Sequence, residues 1–417
     1  MPRGRASGQG SARATPAIGG ERAEAIARAA RDFDAGHRDL FERFVPLLLT
    51  RLERSEASGL PAEVLASIVK IAFEHFAGRR PGKRVIAVER VPFRAGDRAE
   101  HAGGRETGVT VVVAVNDDKP FLVSSVLGEL QARTVRPQLV LHPLLRVRRD
   151  AHGSLIDLQG ATDGADDGRE TGAARSDPWR DESLILVVAA PLDEASADTL
   201  AGAIGSVLDE VDAAVTDWSG MMARLDAAIA ALEARNVATA DPLVAETLAF
   251  CRWMRAGNFV FLGMREYRID GAPETGGLQV VAGSGLGILA DPEVHVLRRG
   301  RELVALTDEV RRFYLKPWPI IITKSNVVSR VHRRVHMDYV GLKTFGADGR
   351  LTGELRMVGL FTATAYTAPP AEIPFLRLKA ERVFAESGVK RASHEGRMLQ
   401  NIRSEERRVG KECRSRW

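Results

Sequence analysis

The chain has 417 residues, of which 45% are hydrophobic and 27% charged, and this composition excludes a fibrous protein or one that is disordered throughout. Its 59 Lys and Arg residues exceed its 55 Asp and Glu residues, so the formal net charge is +4 and a nucleic-acid or membrane partner has to be considered. Two cysteines cannot form a disulfide framework, which fits a reducing cytosol. The longest apolar run, Leu184–Leu192, is far shorter than the roughly 20 residues of a membrane span.

The N-terminal part is predicted to be a disordered tail followed by helices. Residues 1–20 contain three arginines, no acidic residue and no apolar signal-peptide core, so we expect them to be disordered. Between Glu21 and Phe76 apolar residues recur three and four positions apart, which is the spacing of amphipathic helices. The Gly-Arg-Arg-Pro-Gly run at 78–82 then ends the last helix, and Val85–Val91 alternates like an edge strand.

The next elements predict a ferredoxin-like domain. The predicted strands are Val109–Val115, Leu139–Val147 and Ser183–Ala190, and the predicted helices run from Phe121 to about Thr134 and through Leu200–Val211. The order strand, helix, strand, strand, helix is that of a split βαβ fold without its last strand, with both helices on one face of an antiparallel sheet. The acidic, glycine-rich stretch 151–181 is expected to be a flexible insert.

The second half of the chain is predicted to be mainly antiparallel sheet. After helices at Thr216–Arg235 and Pro242–Arg255, the apolar periodicity changes to two. The predicted strands are Phe259–Tyr267, Leu278–Val281, Val294–Leu297, Leu303–Leu306, Tyr339–Phe345 and Leu351–Phe361, and Asp348-Gly349 is a hairpin signal between the last two. A helix at Phe375–Ser387 follows. The predicted fold class is therefore α+β, with a sheet domain of the PAS or GAF kind.

One loop is a candidate effector-binding site. It follows the first strand of the ferredoxin-like domain and contains Asn116, Asp117, Asp118, Lys119 and Phe121. Free backbone N–H groups at the start of a helix favour a carboxylate, so an amino acid could bind here. A purely structural turn is the alternative.

A basic segment is a candidate anion-binding site. Lys324, Arg330, Arg333 and Arg334 lie near a predicted turn at Thr323–Asn326, and arginine forks suit carboxylates and phosphates. A solvated charged face is the alternative. Nucleic-acid binding is not favoured, because aromatic residues are not interleaved with the basic ones.

No metal site, catalytic residue or cofactor-binding residue is predicted. His332 and His336 are four positions apart, but a strand predicted over 331–339 would separate them by roughly 13 Å, too far for one metal ion. The glycine run Gly283–Gly287 lacks the spacing of the dinucleotide fingerprint and is predicted to be a loop between strands.

Six sequence segments, taken in their order along the chain, resemble segments of the large bacterial NAD-dependent glutamate dehydrogenases. They are Phe259–Tyr267, Ile320–Asn326, His336–Gly341, Gly359–Thr362, Ile373–Arg377 and Ser393–Gly396, and the resemblance extends from about Leu40 to Ile402. In addition, Asp118–Leu122 resembles the loop after the first strand of ACT domains, which bind amino acids there. Phe121 stands where ACT domains usually have glycine.

The resemblance implies an N-terminal regulatory part with ACT-like and PAS-like modules, placed before a catalytic domain that this chain does not contain. The implied parent is a cytoplasmic homo-oligomer that oxidatively deaminates L-glutamate to 2-oxoglutarate and ammonia with NAD. No catalytic residue is carried over, and the chain alone is expected to be inactive, with itself, the catalytic domain and an amino-acid effector as partners. A free-standing ACT/PAS-like sensor without catalytic activity is the alternative.

The domain organisation follows from these elements. We predict a disordered tail at 1–20, helices with the ACT-like domain at 21–215, a helical connector at 216–257, a PAS-like domain at 258–370, and a helix with a linker at 371–402. The composition shifts abruptly at Arg403, so 403–417 is expected to be foreign sequence. This segment and residues 1–20 each carry a net charge of +3, and subtracting both from +4 leaves −2 for 21–402. The basic pI therefore comes from the two ends.

Overall fold

The computed structural model describes residues 20–50, 52, 60–93, 107–160, 179–239, 241–271, 277–294, 296, 298–299, 302–303, 318–346, 348–388 and 393–394. Residues 1–19 of the tail predicted at 1–20, the segment 403–417, and parts of the strands predicted at 294–297 and 303–306 lie outside these ranges. The chain divides into two compact units, Met1–Leu208 and Asp209–Trp417.

Among the described residues, the first unit begins with the helices α1 (Gly20–Ala30), α2 (Ala35–Leu49) and α3 (Ala62–Ala77). Asp34 caps α2, because its side chain accepts hydrogen bonds from two backbone N–H groups at the start of that helix, both 3.0 Å long. The apolar faces predicted by the helical periodicity are buried, and the rings of Phe41 and Phe44 both contact that of Phe73. These helices therefore form one packed layer.

The first unit contains one antiparallel sheet. Its strands are β1 (Val85–Phe93), β2 (Thr107–Asp117), β3 (Pro137–Leu141), β4 (Leu144–Arg149), β5 (Leu155–Gly160) and β6 (Trp179–Ala189). The helices that follow β2 and β6 are α4 (Leu122–Ala132) and α5 (Glu194–Thr216), and α5 continues past the unit boundary at Leu208. The strand order is β1-β2-β6-β4-β5, and β3 also pairs with β6. The predicted ferredoxin-like order is present, and β1 covers the edge of β2 that the absent last strand would otherwise occupy.

Two predictions for this sheet were wrong in detail. The single strand predicted at Leu139–Val147 is interrupted between β3 and β4, where Pro143 lacks the N–H group that a continuous strand would use. The stretch 151–181 is not wholly a flexible insert, because β5 lies within it and pairs with β4, and β6 already begins at Trp179. The remainder of that stretch, 161–178, lies outside the described residues.

Helices cover both faces of this sheet. Val111 and Val113 belong to the core shared with α1–α3, whereas Val112 and Ala114, which alternate with them, are also fully buried. On that second face Gly205 of α5 lies against the side chain of Ile86. Burial on both faces explains why β2 and β6 are continuous apolar runs instead of alternating ones.

The second unit contains two long helices, α6 (Trp218–Thr239) and α7 (Pro242–Trp253), and a second antiparallel sheet. Its strands are β7 (Phe259–Asp270), β8 (Gly277–Val280), β9 (Leu286–Gly287), β12 (Ile320–Val328), β13 (His336–Phe345) and β14 (Leu351–Phe361), and a separate ribbon consists of β10 (Arg298–Arg299) and β11 (Glu302–Leu303). The strand order is β12-β13-β14-β7-β8, with β9 also paired to β7. Short helices α8 (Ala363–Thr367) and α9 (Leu376–Ser387) follow.

The two faces of the second sheet differ in chemistry. On one face Val340, Leu342 and Met357 are buried in a core shared with α6 and α7. The buried residues that alternate with them include polar ones, among them Lys343, which is paired in register with Glu354. The hairpin predicted at Asp348-Gly349 joins β13 to β14, with Gly349 at a φ of 77°. The sequence pattern therefore located β13 and β14 but not the buried charges that they carry.

Two further predictions in this unit were wrong. The turn predicted at Thr323–Asn326 lies inside β12, which continues to Val328 with a bulge after Lys324. The strand predicted over 331–339 begins only at His336, and His332 lies in a bend with a φ of 65°. The alternation of apolar and polar residues at 331–335 was therefore misleading. Asp338, which this pattern assigned to an exposed face, is only 4% exposed.

Candidate functional site

The candidate effector loop joins β2 to α4. The β-branched residues of β2 extend the strand through Asp117, and Pro120 ends the turn that follows. Phe121 then occupies the N-cap position of α4 with a φ of 74°, in the left-handed region that favours glycine, and without a side-chain cap. The backbone therefore has the conformation that the usual glycine of ACT domains would allow, although this chain has phenylalanine there.

Asn116 places a polar side chain in the interior at the base of this loop. It is 7% exposed, and its Oδ1 accepts a hydrogen bond of 3.0 Å from the backbone N–H of Asp117. Its Nδ2 has no hydrogen-bond partner among the residues that the structure describes. Asn116 is paired in register with Ser183, whose hydroxyl contacts Nε2 of His142 at 2.8 Å. A buried amide donor without a partner is costly, and a ligand acceptor would remove that cost.

Asp118 and Lys119, further along the loop, are less buried than Asn116. The backbone N–H of Asp118 donates to the carbonyl of Asp181 at 3.0 Å. Partial desolvation raises the pKa of the Asp118 carboxyl, and the negative charge of Asp181 raises it further. Lys119 is partly buried in the same turn. The loop thus brings together carboxylates, a cation and helix N–H groups.

A buried ionic network lies directly beside the loop. Asp117 contacts Arg79 at 2.6 Å, and Arg79 is in ionic contact with Glu182 at 2.5 Å, although this second pair is not aligned as a hydrogen bond. Arg149 binds the same Glu182 carboxylate through two hydrogen bonds of 2.9 Å. Arg149 also donates to the carbonyl of Phe76 at 2.8 Å, near the C-terminal end of α3, where helix carbonyls attract cations.

Sequence reasoning missed this network. Arg79 was interpreted only as part of the run that ends α3, yet it is 1% exposed. Glu182 lies between the flexible insert predicted at 151–181 and the strand predicted at Ser183–Ala190, yet it is also 1% exposed. Charged residues are almost never fully buried unless they are paired. The pairs here join residues far apart in the chain, so no local pattern could have indicated them.

Each of the four candidate anion-binding residues already interacts with another part of this chain. Lys324 contacts Asp338 at 2.6 Å, Arg330 contacts Glu210 at 2.8 Å, and Arg333 donates to the carbonyl of Phe361 at 2.6 Å. Arg334 is exposed and also interacts within the chain. An anion at this segment would therefore compete with existing partners.

Comparisons with known proteins agree with the geometry. The family model described as "Glutamate dehydrogenase, ACT1 domain" matches residues 44–204, and the one described as "Glutamate dehydrogenase, helical motif 1" matches residues 373–404. The NAD-specific glutamate dehydrogenase of Halomonas elongata is 32% identical over 310 residues, which are 73% of this chain and 18% of the relative. The chain belongs to the NAD-specific glutamate dehydrogenase family. The Pseudomonas aeruginosa enzyme of the same name is 27% identical over 301 residues, or 72% of this chain and 18% of the relative.

These matches confirm the resemblance inferred from the six sequence segments. The chain corresponds to the N-terminal region of the NAD-specific glutamate dehydrogenases, and it spans only 18% of the length of the two relatives. The ACT1 match also agrees with the fold, since residues 44–204 include α3, all six strands of the first sheet, α4 and the first half of α5.

The glycine run Gly283–Gly287 does not fit NAD, the cofactor in the names of the relatives. The glycine run Gly283–Gly287 packs against its own chain, because a Cβ atom at Gly285 or Gly287 would lie 2.2 Å from a backbone carbonyl oxygen. The residues that follow it, 288–294, form turns instead of the helix whose N-terminus would bind a pyrophosphate. We therefore assign no step of the reaction to this chain.

The described residues contain no group of three His, Cys, Asp or Glu side chains arranged to hold a metal ion. Nor do they include a helix long and apolar enough to cross a membrane.

Proposed function

We propose that this chain is the N-terminal regulatory segment of an NAD-dependent glutamate dehydrogenase. The full-length form would oxidatively deaminate L-glutamate to 2-oxoglutarate and ammonia in the cytoplasm, with NAD bound by a downstream catalytic domain. The observation that carries the proposal is the agreement between the ACT1 match at 44–204 and the ferredoxin-like first unit, in a chain that spans 18% of its relatives. The proposed partners are further copies of the chain and the catalytic domain. We retain PAS-like as the proposed class of the second sheet.

The proposed regulatory ligand is an amino acid bound at the β2–α4 loop. Asn116, Asp117, Asp118, Lys119 and Phe121 would contact it. The N–H groups at the start of α4, the Nδ2 of Asn116 and the Lys119 ammonium suit a carboxylate. The carboxylates of the loop suit an ammonium group. A zwitterion presents both charges at once, so it matches this set of groups better than a simple anion does.

Calorimetric titration of the purified 417-residue chain with each amino acid in turn tests this ligand. We expect at least one amino acid to bind, and Asn116→Ala to weaken its binding about tenfold, because a buried hydrogen bond to the ligand would be lost. Asn326→Ala, which changes an exposed asparagine of β12, is the matched control and should bind like the unaltered chain. Absence of binding by every amino acid, or equal binding by both variants, would contradict the proposed site.

The proposed anion site at Lys324, Arg330, Arg333 and Arg334 is tested in the same way with inorganic phosphate. Because three of these residues already contact oxygen atoms of the protein, we expect any binding to be weak and to decline with added salt. Arg334→Gln should reduce phosphate binding if the site exists. A titration without heat of binding would favour the alternative of a solvated charged face.

A free-standing sensor without catalytic activity is the second candidate function, because the same loop and the same fold would serve it. The gene downstream of this chain distinguishes the two: a dehydrogenase domain in the same frame supports the enzyme, and a genuine stop codon supports the sensor. For the purified chain we expect no glutamate-dependent reduction of NAD. Measurable turnover would show that the catalytic machinery lies within these 417 residues.

A further inference from the structure

We propose that Arg79 is a positioning residue that fixes the β2–α4 loop through Asp117 and couples this loop to the end of helix α3. The proposal concerns residues that neither the ACT1 match nor the names of the relatives assign. Its structural part holds for the chain alone, and only its consequence for ligand binding rests on the function proposed above.

Arg79 binds three different segments of the first unit. Its Nε donates to the carbonyl of Lys83 at 2.8 Å, in the turn that follows α3. One terminal nitrogen donates to Asp117 at 2.6 Å, and the other is in ionic contact with Glu182 at 2.5 Å. The guanidinium group therefore joins the end of α3, the last residue of β2 and the adjacent strand β6. Arginine is suited to this role because its donors form a rigid, planar fork.

Asp117 is the member of this network that a ligand or solvent can reach. Its side chain is 41% exposed, whereas those of Arg79 and Glu182 are each 1% exposed. Glu182 is shared with Arg149, so one buried carboxylate faces two guanidinium groups. Asp117 supplies the second negative charge that balances the two cations. Without it, a buried positive charge would be left partly uncompensated, which is unfavourable in a medium of low dielectric constant.

The position of Asp117 in the chain transmits this constraint to the loop. Asp117 is paired in register with Glu182, and the next residue, Asp118, donates its N–H to the carbonyl of Asp181. Two consecutive residues of the loop are thereby held by two consecutive residues of β6. The turn then leads through Phe121, whose left-handed backbone conformation is unfavourable for a phenylalanine. A strained turn requires such external fixation, and the ionic network supplies it.

Amide hydrogen exchange of the purified chain, measured by mass spectrometry without any ligand, tests the coupling. In Asp117→Asn we expect amides of the loop and of residues 78–83 to exchange about tenfold faster, the factor that corresponds to loss of one charge-assisted hydrogen bond. Asp117→Glu retains a carboxylate and should restore most of the protection. The matched control is Asp157→Asn. Asp157 lies on β5 of the same sheet and also pairs with an arginine, Arg43 of α2.

Three outcomes would overturn the coupling. The first is an acceleration of amide exchange in the loop by Asp117→Asn that is no larger than the one caused by Asp157→Asn. The second is faster exchange in the loop without faster exchange at residues 78–83. The third is a failure of Asp117→Glu to restore protection, which would indicate that the shape of aspartate matters and not its charge. None of these outcomes depends on an amino-acid ligand.

A second measurement connects the network to binding. The probe is the amino acid that binds most tightly in the calorimetric series. We expect Arg79→Lys, which retains the charge but not the fork, to weaken its binding about tenfold. Amide hydrogen exchange in β13 and β14 of the second unit should be unchanged. Equal affinity in Arg79→Lys would contradict the positioning role. If no amino acid binds the unaltered chain, the proposed ligand fails, while hydrogen exchange still decides the coupling.

Discussion

Glu182 and Arg149 form a bidentate ion pair inside the first unit, with two hydrogen bonds of 2.9 Å and side-chain exposures of 1% and 4%. Removing one partner of a buried pair leaves the other charge without compensation, so we expect Glu182→Gln to lower the free energy of unfolding by about 3 kcal/mol. Urea denaturation measures this loss.

The control for this prediction is Glu63→Gln. Glu63 pairs with Arg28, but its side chain is 71% exposed, and the loss from an exposed pair should be at most about 0.5 kcal/mol. If Glu182→Gln lowers the free energy of unfolding no more than Glu63→Gln does, the buried network is not a source of stability. Other groups must then compensate the charges of its arginines.

Phe121 permits a test of backbone strain that does not depend on its ring. At a φ of 74° glycine is favoured over alanine, so we expect Phe121→Gly to be more stable than Phe121→Ala by about 1 kcal/mol. At Phe93, the last residue of β1, the same two variants should have the opposite order, because glycine in a strand is less stable than alanine by about 0.5–1 kcal/mol. Thermal or urea denaturation of the four variants gives both differences. The same order at both positions would rule out strain at Phe121.

The sequence predicted the elements of this fold wherever burial produces a local pattern. The run Val109–Val115 and the helix of Leu200–Val211 have clear periodicity, and both elements are present as β2 and α5. Pairing between segments far apart in the chain was harder to predict from the sequence. The alternation in Val85–Val91 predicted an edge strand, but it gave no indication that β1 would pair with β2 at the edge left by the missing last strand. In Leu139–Val147, leucine and valine residues on both sides of His142 and Pro143 concealed the break at Pro143.

The candidate site was predictable only in part, for a physical reason. The β2–α4 loop was recognisable because a β-branched run, a proline and a helix follow one another. The buried charges beside it were not recognisable, because Arg79 and Glu182 look like ordinary surface residues in sequence. Whether such a residue is buried depends on a partner supplied by another part of the chain. For the same reason the alternation around Lys343 suggested a strand but gave no sign that its ammonium group is buried.

Lys343 should make stability depend on pH in the alkaline range. Burial lowers its pKa from 10.5 to about 8, and the nearby Glu354 opposes this only in part. Between pH of about 8 and 10.5 the unfolded chain therefore binds more protons than the folded chain, and the free energy of unfolding rises with pH. Below about pH 8 both states are protonated and this contribution is constant. The total rise is at most about 3 kcal/mol.

Lys343→Met isolates this contribution, because it leaves the other titrating groups in place. Urea denaturation at several pH values should give a difference between the unaltered chain and the variant that grows in favour of the unaltered chain as the pH rises from 8 to 10.5. A constant difference over this range would show that the pKa of Lys343 is the same in both states.

Glu246 should control the attachment of helix α9, which has no buried residue of its own. Glu246 lies on α7, is 5% exposed, accepts the backbone N–H of Phe375 at 2.6 Å, and pairs with Arg377 at 2.5 Å. Burial opposes ionisation, but these two donors outweigh it and hold the pKa of Glu246 below its ordinary value. The charged form is therefore the one that fixes the start of α9.

Replacing Glu246 by Gln removes this charge while keeping the size of the side chain. We expect α9 to open more often, and trypsin to cleave after Arg377, Lys379 and Arg382 about tenfold faster, because cleavage follows the population of the open form. Glu233→Gln, which removes the exposed partner of Arg252 in the same unit, should leave the cleavage rate unchanged. Mass spectrometry of the early fragments identifies the bonds cleaved. Equal rates in the two variants would show that α9 is held by contacts other than Glu246.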